Sequence, residues 1–411
     1  MKILYLADDF PPYSYGGAGI VAYNFAKKIQ EKGHTVYIIF AVQNKNEEGE
    51  SQYEGLKIFK IHGFYNEKWR AYLSIFNPFI VRKIKKIIKE IKPDITHVHN
   101  IHFYLSYYSL RLAKKYSEKV FFTAHDTMLV SYGKLFFPPS GNFKINFFTN
   151  LKSAKKRFNP LRNILIRHYL KYVGRLFVIS DSLKNLLIQN GIKNKIEILY
   201  NGIDVKDWFC HAKRIVEFKN KFNIQNKKVI FFGGRLSSAK GGNQILKSFS
   251  YIVNEKKMDN VVLMIAGDKN SDFVRKMLEF AEELKVLNKI VFTGWLERNE
   301  IKQAFFSSDV CVTPSIYFDP FNLFNIEAMA AKKPVVGTCF GGTPEIVVDG
   351  KTGYIVNPLN HELMAEKIVE LLNNPEKAKI FGENGYKRAA NFFSLEKQAD
   401  KLLDFYKDKN L

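Results

Sequence analysis

Short apolar runs alternate with helix-period stretches along this chain, and nearly every run ends in a loop rich in Gly, Pro or polar residues. Lys2–Ala7, His34–Phe40, Leu56–Ile61, Ile95–Val98, Val120–Thr123, Leu176–Ile179 and Ile196–Leu199 are the runs of the first half. Val229–Phe232, Val261–Ala266, Ile290–Phe292, Val310–Val312 and Pro334–Val336 follow in the second. Strands that alternate with helices pair in parallel, because a parallel pair needs a crossover and the crossover helix packs back on the sheet. The expected class is therefore α/β, with doubly wound parallel sheets. Ligands of such sheets meet the loops outside the carboxyl ends of the strands. The loop residues are accordingly the candidates for function.

With 411 residues the chain can bury more than one core, and two domains are expected. Its three cysteines, Cys210, Cys311 and Cys339, are scattered without a CxxC, which argues against a metal knuckle and for a reducing compartment. The apolar run Ile3–Ala7 is too short for a signal peptide, and no run is long enough to span a bilayer. The net charge of +23 is uneven: residues 1–200 hold 32 Lys+Arg against 14 Asp+Glu, and residues 201–411 hold 31 against 26. A basic half fits acidic lipid, nucleic acid or a phosphorylated substrate, or else a solvated Lys-rich surface.

In the first half, the loop Asp8–Ala18 carries Gly16 and Gly17 ahead of a helix that Gly33 caps. The spacing is not GxGxxG and no acidic residue ends the next strand, so a dinucleotide site is poorly supported. His97-Val98-His99-Asn100 and Thr123-Ala124-His125-Asp126 each end a strand. Residues there suit either a ligand or a structural hydrogen bond, and the histidines would also suit a metal. Residues 80–91 place Ile80, Ile84, Ile87, Ile88 and Ile91 on one helical face and Arg82, Lys83, Lys85, Lys86 and Lys89 largely on the other. Residues 133–173 mix Phe136, Phe137, Phe143, Phe147 and Phe148 with Lys152, Lys155, Lys156, Arg157, Arg162 and Arg167. That mixture suits a membrane interface or single-stranded nucleic acid.

In the second half, Gly233-Gly234-Arg235-Leu236 and Lys240-Gly241-Gly242 follow one strand. Glycines let backbone approach phosphates, and Arg with Lys supplies fixed counter-charge to a departing diphosphate. Gly267-Asp268 and Thr293-Gly294-Trp295 end the next two strands, where the indole either stacks on a ligand or packs. Asp309–Glu345 releases two strand-end loops into helix starts, a geometry that suits an anion. It carries Asp319 and Glu327, carboxylates that accept paired hydroxyls or that simply complement a helix dipole.

The segments Asp319-Pro320-Phe321, Glu327-Ala328-Met329-Ala330, Pro334-Val335-Val336, Gly341-Gly342 with Pro344-Glu345, and Asp349-Gly350 with Thr352-Gly353 resemble glycosyltransferase family 4, the retaining group 1 enzymes of GT-B fold. Arg235 and Lys240 match that family's GRL…KG element, and Asn201-Gly202-Ile203-Asp204 its segment before the linker. The first acidic residue is Asp319 where the family more often has Glu, and Asn322 replaces a usual Gly.

The resemblance implies two Rossmann-like doubly wound domains facing a central cleft. It divides the chain into 1–200 on the acceptor side, a linker at 201–226 and a donor domain at 227–393, with the last helix, 394–411, packing back on the first. It implies a nucleoside-diphosphate-sugar donor and a glycan or polyprenyl-diphosphate-linked acceptor. Arg235 and Lys240 would bind the diphosphate, Glu327 the ribose, Asp319 and His125 the sugar. Gly16, Gly17, Gly234, Gly267, Trp295, Phe321, Asn322, Leu323 and Phe324 would line the donor, and His99, Asn100 and Asp126 the acceptor side.

No cofactor and no metal are implied; the chain has no Asp-x-Asp, and the family accounts for both histidine loops without one. The expected place is the cytoplasmic face of a membrane, held peripherally by anionic lipid, in cell-surface polysaccharide assembly; nucleic acid is not an expected partner. A GT-B nucleotide-sugar epimerase and a soluble sucrose- or glycogen-type transferase are the alternatives.

Overall fold

The computed structural model describes residues 1–13, 16–136, 141–268 and 270–408, without the Lys156 side chain. Phe137 of the basic-aromatic stretch lies outside the described residues, as do Ser14 and Tyr15 of the first loop. The chain divides into two compact units. One contains Met1–Leu135, Asn142–Gly202 and Leu395–Leu411, and the other is built on Ile203–Ser394.

The first unit holds eight strands: β1 (Lys2–Ala7), β2 (Thr35–Val42), β3 (Gly49–Tyr53), β4 (Leu56–His62), β5 (Ile95–Val98), β6 (Lys119–Ala124), β7 (Arg175–Val178) and β8 (Ile196–Ile198). They lie in the order β3-β4-β2-β1-β5-β6-β7-β8. Only β3 is antiparallel. It was not expected, because GESQY is polar and largely exposed. Short polar edge strands of this kind blunt an open sheet edge.

The second unit holds six: β9 (Lys228–Gly233), β10 (Val261–Ala266), β11 (Ile290–Gly294), β12 (Val310–Thr313), β13 (Val335–Thr338) and β14 (Gly353–Val356). All are parallel, in the order β11-β10-β9-β12-β13-β14. The strand order reverses between β1 and β5 in one sheet and between β9 and β12 in the other. A crevice opens at such a reversal, because the flanking helices leave to opposite faces. The expected class of doubly wound parallel sheets is thus the observed one.

Helix Pro78–Ile91 buries Ile80, Ile84, Ile88 and Ile91 and leaves its basic residues outside. The chain leaves the first unit after Gly202 and returns at Leu395, where a Cβ on Gly202 would fall 2.5 Å from the Leu395 Cα. The returning helix, Leu395–Lys407, is tied down at both ends. Lys32 pairs with Asp400 at 2.7 Å, and Lys119 Nζ donates to the carbonyls of Tyr406 (2.9 Å) and Asp408 (2.6 Å). A cation on the last carbonyls satisfies acceptors that the helix cannot. Tyr406 is 1 % exposed, with its ring against Phe121 and its hydroxyl between Tyr5 (3.3 Å) and His97 Nδ1 (2.5 Å).

Tyr406→Ala removes a buried ring and should cost about 3–5 kcal/mol. Tyr406→Phe strands only the polar partners and should cost about 1–3 kcal/mol. Urea unfolding followed by circular dichroism checks the order; equal losses would mean that the hydroxyl, not the ring, holds the helix.

Candidate functional site

In the second unit the reversal between β9 and β12 brings together the loops that carry Arg235, Lys240 and Asp319. Gly234 leaves β9 with φ +113°, and its N–H donates to the Ala266 carbonyl at 3.1 Å. Gly267, after β10, packs so closely that a Cβ there would lie 2.7 Å from Leu236. Arg235 is exposed on this loop. Lys240 ends the short helical turn Ser238–Lys240, and its ammonium reaches Asp319 Oδ2 at 2.6 Å. Asp319 itself is 5 % exposed.

Main-chain contacts hold both partners. A Cβ on Gly241, at φ +83°, would fall 1.9 Å from the Pro314 carbonyl oxygen, and one on Gly341, at φ +67°, 2.1 Å from that of Asp319. Gly342 N–H donates to the Asp319 carbonyl at 2.8 Å. Only glycine fits such approaches at positive φ.

Helix Leu323–Ala330 follows. Asn322 caps it by accepting from the Phe324 N–H at 3.2 Å, so this replacement for glycine satisfies a helix-start donor. Phe321 packs edge-on to Phe393 at 5.7 Å, and the Phe324 ring lies in the core against Phe231 and Phe305. Phe324 therefore presents backbone, not its ring, to the helix start. Leu323 is half-buried. Glu327 stands one turn along. Desolvation pushes its carboxyl up to about 7, against the pull of Arg298. Arg298 begins the helix after β11, whose end loop also carries Trp295, 56 % exposed.

Sequence reasoning missed two positions here. Arg298 is the charge that acts on Glu327. Asn325 is fully buried, accepts from Thr313 Oγ1 at 2.8 Å and donates to Thr343 Oγ1 at 3.3 Å, locking β12, this helix and the Gly341–Thr343 turn together. An Asn amid apolar neighbours in a helix was the available signal.

In the first unit, Gly16 is the extended N-cap of helix Gly17–Glu31. The four strand-end residues of β5 and β6 do meet. His99 Nδ1 lies 2.9 Å from His125 Nε2; Asn100 donates to Asp126 Oδ2 at 2.8 Å and accepts from the His125 N–H at 3.2 Å. His97 and His99, two apart on one strand face, stack at 4.7 Å. Burial drives His97 and His125 down to about 3 and His99 and His102 well below the usual imidazole range, so all four are neutral.

One proton lies between His99 and His125. Whichever ring donates it, one outer nitrogen of the pair is then an N–H and the other a lone pair. Neither His99 Nε2 nor His125 Nδ1 has a protein partner. The dyad therefore leaves one buried donor and one buried acceptor unpartnered.

Asp8 was also missed, although it stands at the end of β1 beside the strand-order reversal. It accepts from the N–H groups of Phe103 (2.6 Å), Tyr104 (2.8 Å) and Leu105 (3.0 Å), and burial pushes its carboxyl up to about 7. Asp126 is raised by burial to about 6. Among the described residues no cluster of His, Cys, Asp or Glu is arranged to hold a metal ion.

Residues 214–388 match the family model for glycosyl transferases group 1, and residues 15–207 that for glycosyltransferase family 4. A capsular polysaccharide biosynthesis glycosyltransferase of Staphylococcus aureus, CapM, is 28% identical over 238 residues, which cover 56% of this chain and 60% of that one. Sucrose-phosphate synthase from Thermosynechococcus elongatus superposes with a TM-score of 0.80 at 18% identity, over 99% of this chain and 98% of that one. Anabaena HepE in complex with UDP-glucose does so with a TM-score of 0.74 at 17% identity, over 98% and 100%. At these identities the structural likeness shows the fold.

The buried groups of the first unit set a pH dependence. Histidines with depressed values bind protons only when unfolded, so their contribution falls as pH drops through about 6.5. Asp8 and Asp126, raised when folded, oppose this between about pH 4 and 7. Four imidazoles outweigh these two carboxyls even with Glu327 of the second unit, raised to about 7, counted beside them. Stability should fall from pH 7 to 5, with a slope set by about 1.4 kcal/mol per pH unit for each net proton. Urea midpoints across that range test it, and a midpoint that rises on acidification would refute neutral burial.

Proposed function

Because the chain belongs to the group 1 glycosyltransferases of family 4, we propose that it is a retaining enzyme that moves a sugar from a nucleoside diphosphate to a glycan or polyprenyl-diphosphate-linked acceptor. The pathway we assign is cell-surface polysaccharide assembly, as the name of the Staphylococcus aureus relative suggests. The observation that carries the reading is the Lys240–Asp319 pair, held at a strand-order reversal by glycine-only contacts. It supplies one cation for a diphosphate and one carboxylate for sugar hydroxyls within a single hydrogen bond's reach.

In this reading Arg235 and Lys240 neutralise the charge that grows on the leaving diphosphate. Glu327, as carboxylate, accepts from the ribose hydroxyls. The bond between the acceptor oxygen and the anomeric carbon forms on the face from which the phosphate oxygen leaves. The acceptor proton passes to that phosphate oxygen, so the chemistry calls for no protein base and no metal. The neutral His99–His125 dyad meets a sugar hydroxyl. The complex of HepE with UDP-glucose supports a uridine nucleotide as the first donor to try. The basic first half supports work at an anionic membrane face, on its cytoplasmic side. No helix of the described residues is long and apolar enough to cross a membrane.

A thermal-shift screen against UDP, GDP, ADP, dTDP and their sugar conjugates, with and without EDTA, tests the reading. A ligand at 100 times its Kd adds about 2.7 kcal/mol. One nucleotide should win, unchanged by EDTA. Conversion of the donor sugar with no acceptor would point instead to an epimerase.

Glu327 gives a sharper test. Its carboxyl is protonated below about 7, and only the carboxylate accepts two hydroxyl protons. Affinity for the nucleotide sugar should therefore weaken as pH falls below 7, by up to about tenfold per unit. A nucleotide sugar has no phosphate that titrates there, so the slope reports the protein. Glu327→Gln should bind more weakly at pH 8 and lose the slope. If Glu327→Ala and Arg235→Ala both keep full turnover, the assignment fails.

A further inference from the structure

We propose that the first unit carries a docking face for an anionic lipid surface, built from the segment Trp69–Tyr72, helix Phe147–Ala154 and the start of helix Arg162–Leu170. The proposal rests on the reading of the chain as an enzyme that meets a lipid-linked acceptor, and it assigns that meeting to particular side chains.

The first observation is a continuous exposed apolar path. Trp69 packs on Tyr72 at 6.1 Å; the Tyr72 hydroxyl donates to the Phe158 carbonyl at 3.4 Å; the Phe158 ring meets Phe147 at 5.5 Å; and Phe147 meets Phe148 at 5.9 Å. Buried Asn159 ties the two segments together beneath the path. Its amide donates to the Ala71 carbonyl, and its oxygen accepts from the Leu161 N–H, both at 3.0 Å. Phe148 is 76 % exposed, and Trp69, Phe147, Leu161 and Ile164 each more than half. Soluble surfaces rarely expose so many large apolar side chains side by side. Trp and Tyr among them suit the headgroup level of a bilayer, where one end of the ring is apolar and the other wet.

Charge is the second observation. From Thr127 to Ser180 the chain holds ten Lys+Arg and no Asp or Glu. Lys144, Lys152 and Lys155 are exposed beside these aromatics. The nearby acidic residue, Glu67, is matched by Arg157 at 2.9 Å. Apolar side chains that can insert, ringed by cations, complement an anionic bilayer. Nucleic acid would use the cations and the rings, but Leu161 and Ile164 offer no face on which a base could stack. The basic helix Pro78–Ile91 is the weaker candidate, because its isoleucine face is buried and one large apolar side chain, Phe79, stands outside among its charges.

Sedimentation of the full chain with phosphatidylcholine vesicles, with and without phosphatidylglycerol, tests the face. The protein should bind the phosphatidylglycerol vesicles and scarcely the neutral ones. Phe147→Ser with Phe148→Ser, and separately Lys152→Glu with Lys155→Glu, should each weaken binding on the order of tenfold. The thermal shift by nucleotide, read on the same samples, should be unchanged in both double variants and so reports that they fold. Absence of wild-type binding, or binding that both double variants retain, would overturn the face while leaving the donor site intact. A preference for single-stranded polynucleotide over vesicles would also overturn it. Vesicle binding without any nucleotide shift would leave the face standing and sink the enzymatic reading.

Discussion

Everything the second unit can do depends on two places where backbone touches backbone with no room for a methyl group. The turn at Gly241 rests on the Pro314 carbonyl, and the turn at Gly341 rests on that of Asp319. Both therefore close on the one loop that leaves β12. A side chain as long as lysine usually samples many rotamers, and fixing it costs entropy. Here the main chain beneath Lys240 is set by Gly241, and the main chain of Asp319 by Gly341 and Gly342. The 2.6 Å contact between them follows from the packing of turns. Asn325 adds the third support, joining Thr313 to Thr343 through one buried amide. A buried polar network that is satisfied in this way specifies one arrangement of its elements.

The first unit uses the same strand-end geometry for different chemistry. Its β5 and β6 ends hold rings that burial keeps neutral, so they can share hydrogen bonds but carry no charge to a phosphate. Two of its arginines turn inward. Arg162 donates to the carbonyls of Met128 (2.6 Å) and Ser131 (3.1 Å), and Arg70 lies 3.5 Å above the Phe103 ring. In the proposed reaction, fixed charge would serve the leaving diphosphate and neutral donors and acceptors would orient hydroxyls.

What could be read from the sequence follows the same physics. The apolar runs show their strands because both faces of a parallel strand are buried, and their last residues mark the crevice. Arg235, Lys240 and Asp319 were singled out at such ends, as were His99 and His125, and the structure brings Lys240 to Asp319 and His99 to His125. The β3 strand was not, since an exposed polar edge has no apolar pattern to detect. Asp8, Arg298 and Asn325 escaped because their partners are far away in the chain: Asp8 answers to residues 103–105, and Asn325 to residues on both sides of its helix. Phe324 shows the opposite difficulty. Its position in a loop-to-helix motif was legible, but the direction of its ring was decided by Phe231 and Phe305.

The basic excess of the first half has the same ambiguity of direction, and the proposed docking face answers it through the fold. Charge alone acts over a Debye length of about 8 Å at physiological salt, so it draws the chain toward any polyanion without choosing among them. Selection requires side chains that only one partner can accept. Trp69 and Phe148 lie 79 positions apart in the sequence, and no local pattern links them. They share a surface because Asn159 binds the Ala71 carbonyl and Tyr72 binds that of Phe158. Two hydrogen bonds between the helical turn Arg70–Leu73 and residues Phe158 and Asn159 thus join separate aromatic segments to a stretch of chain without acidic residues. In the proposed docking face, cations that alone would attract a phosphate of any origin flank apolar side chains suited to a bilayer.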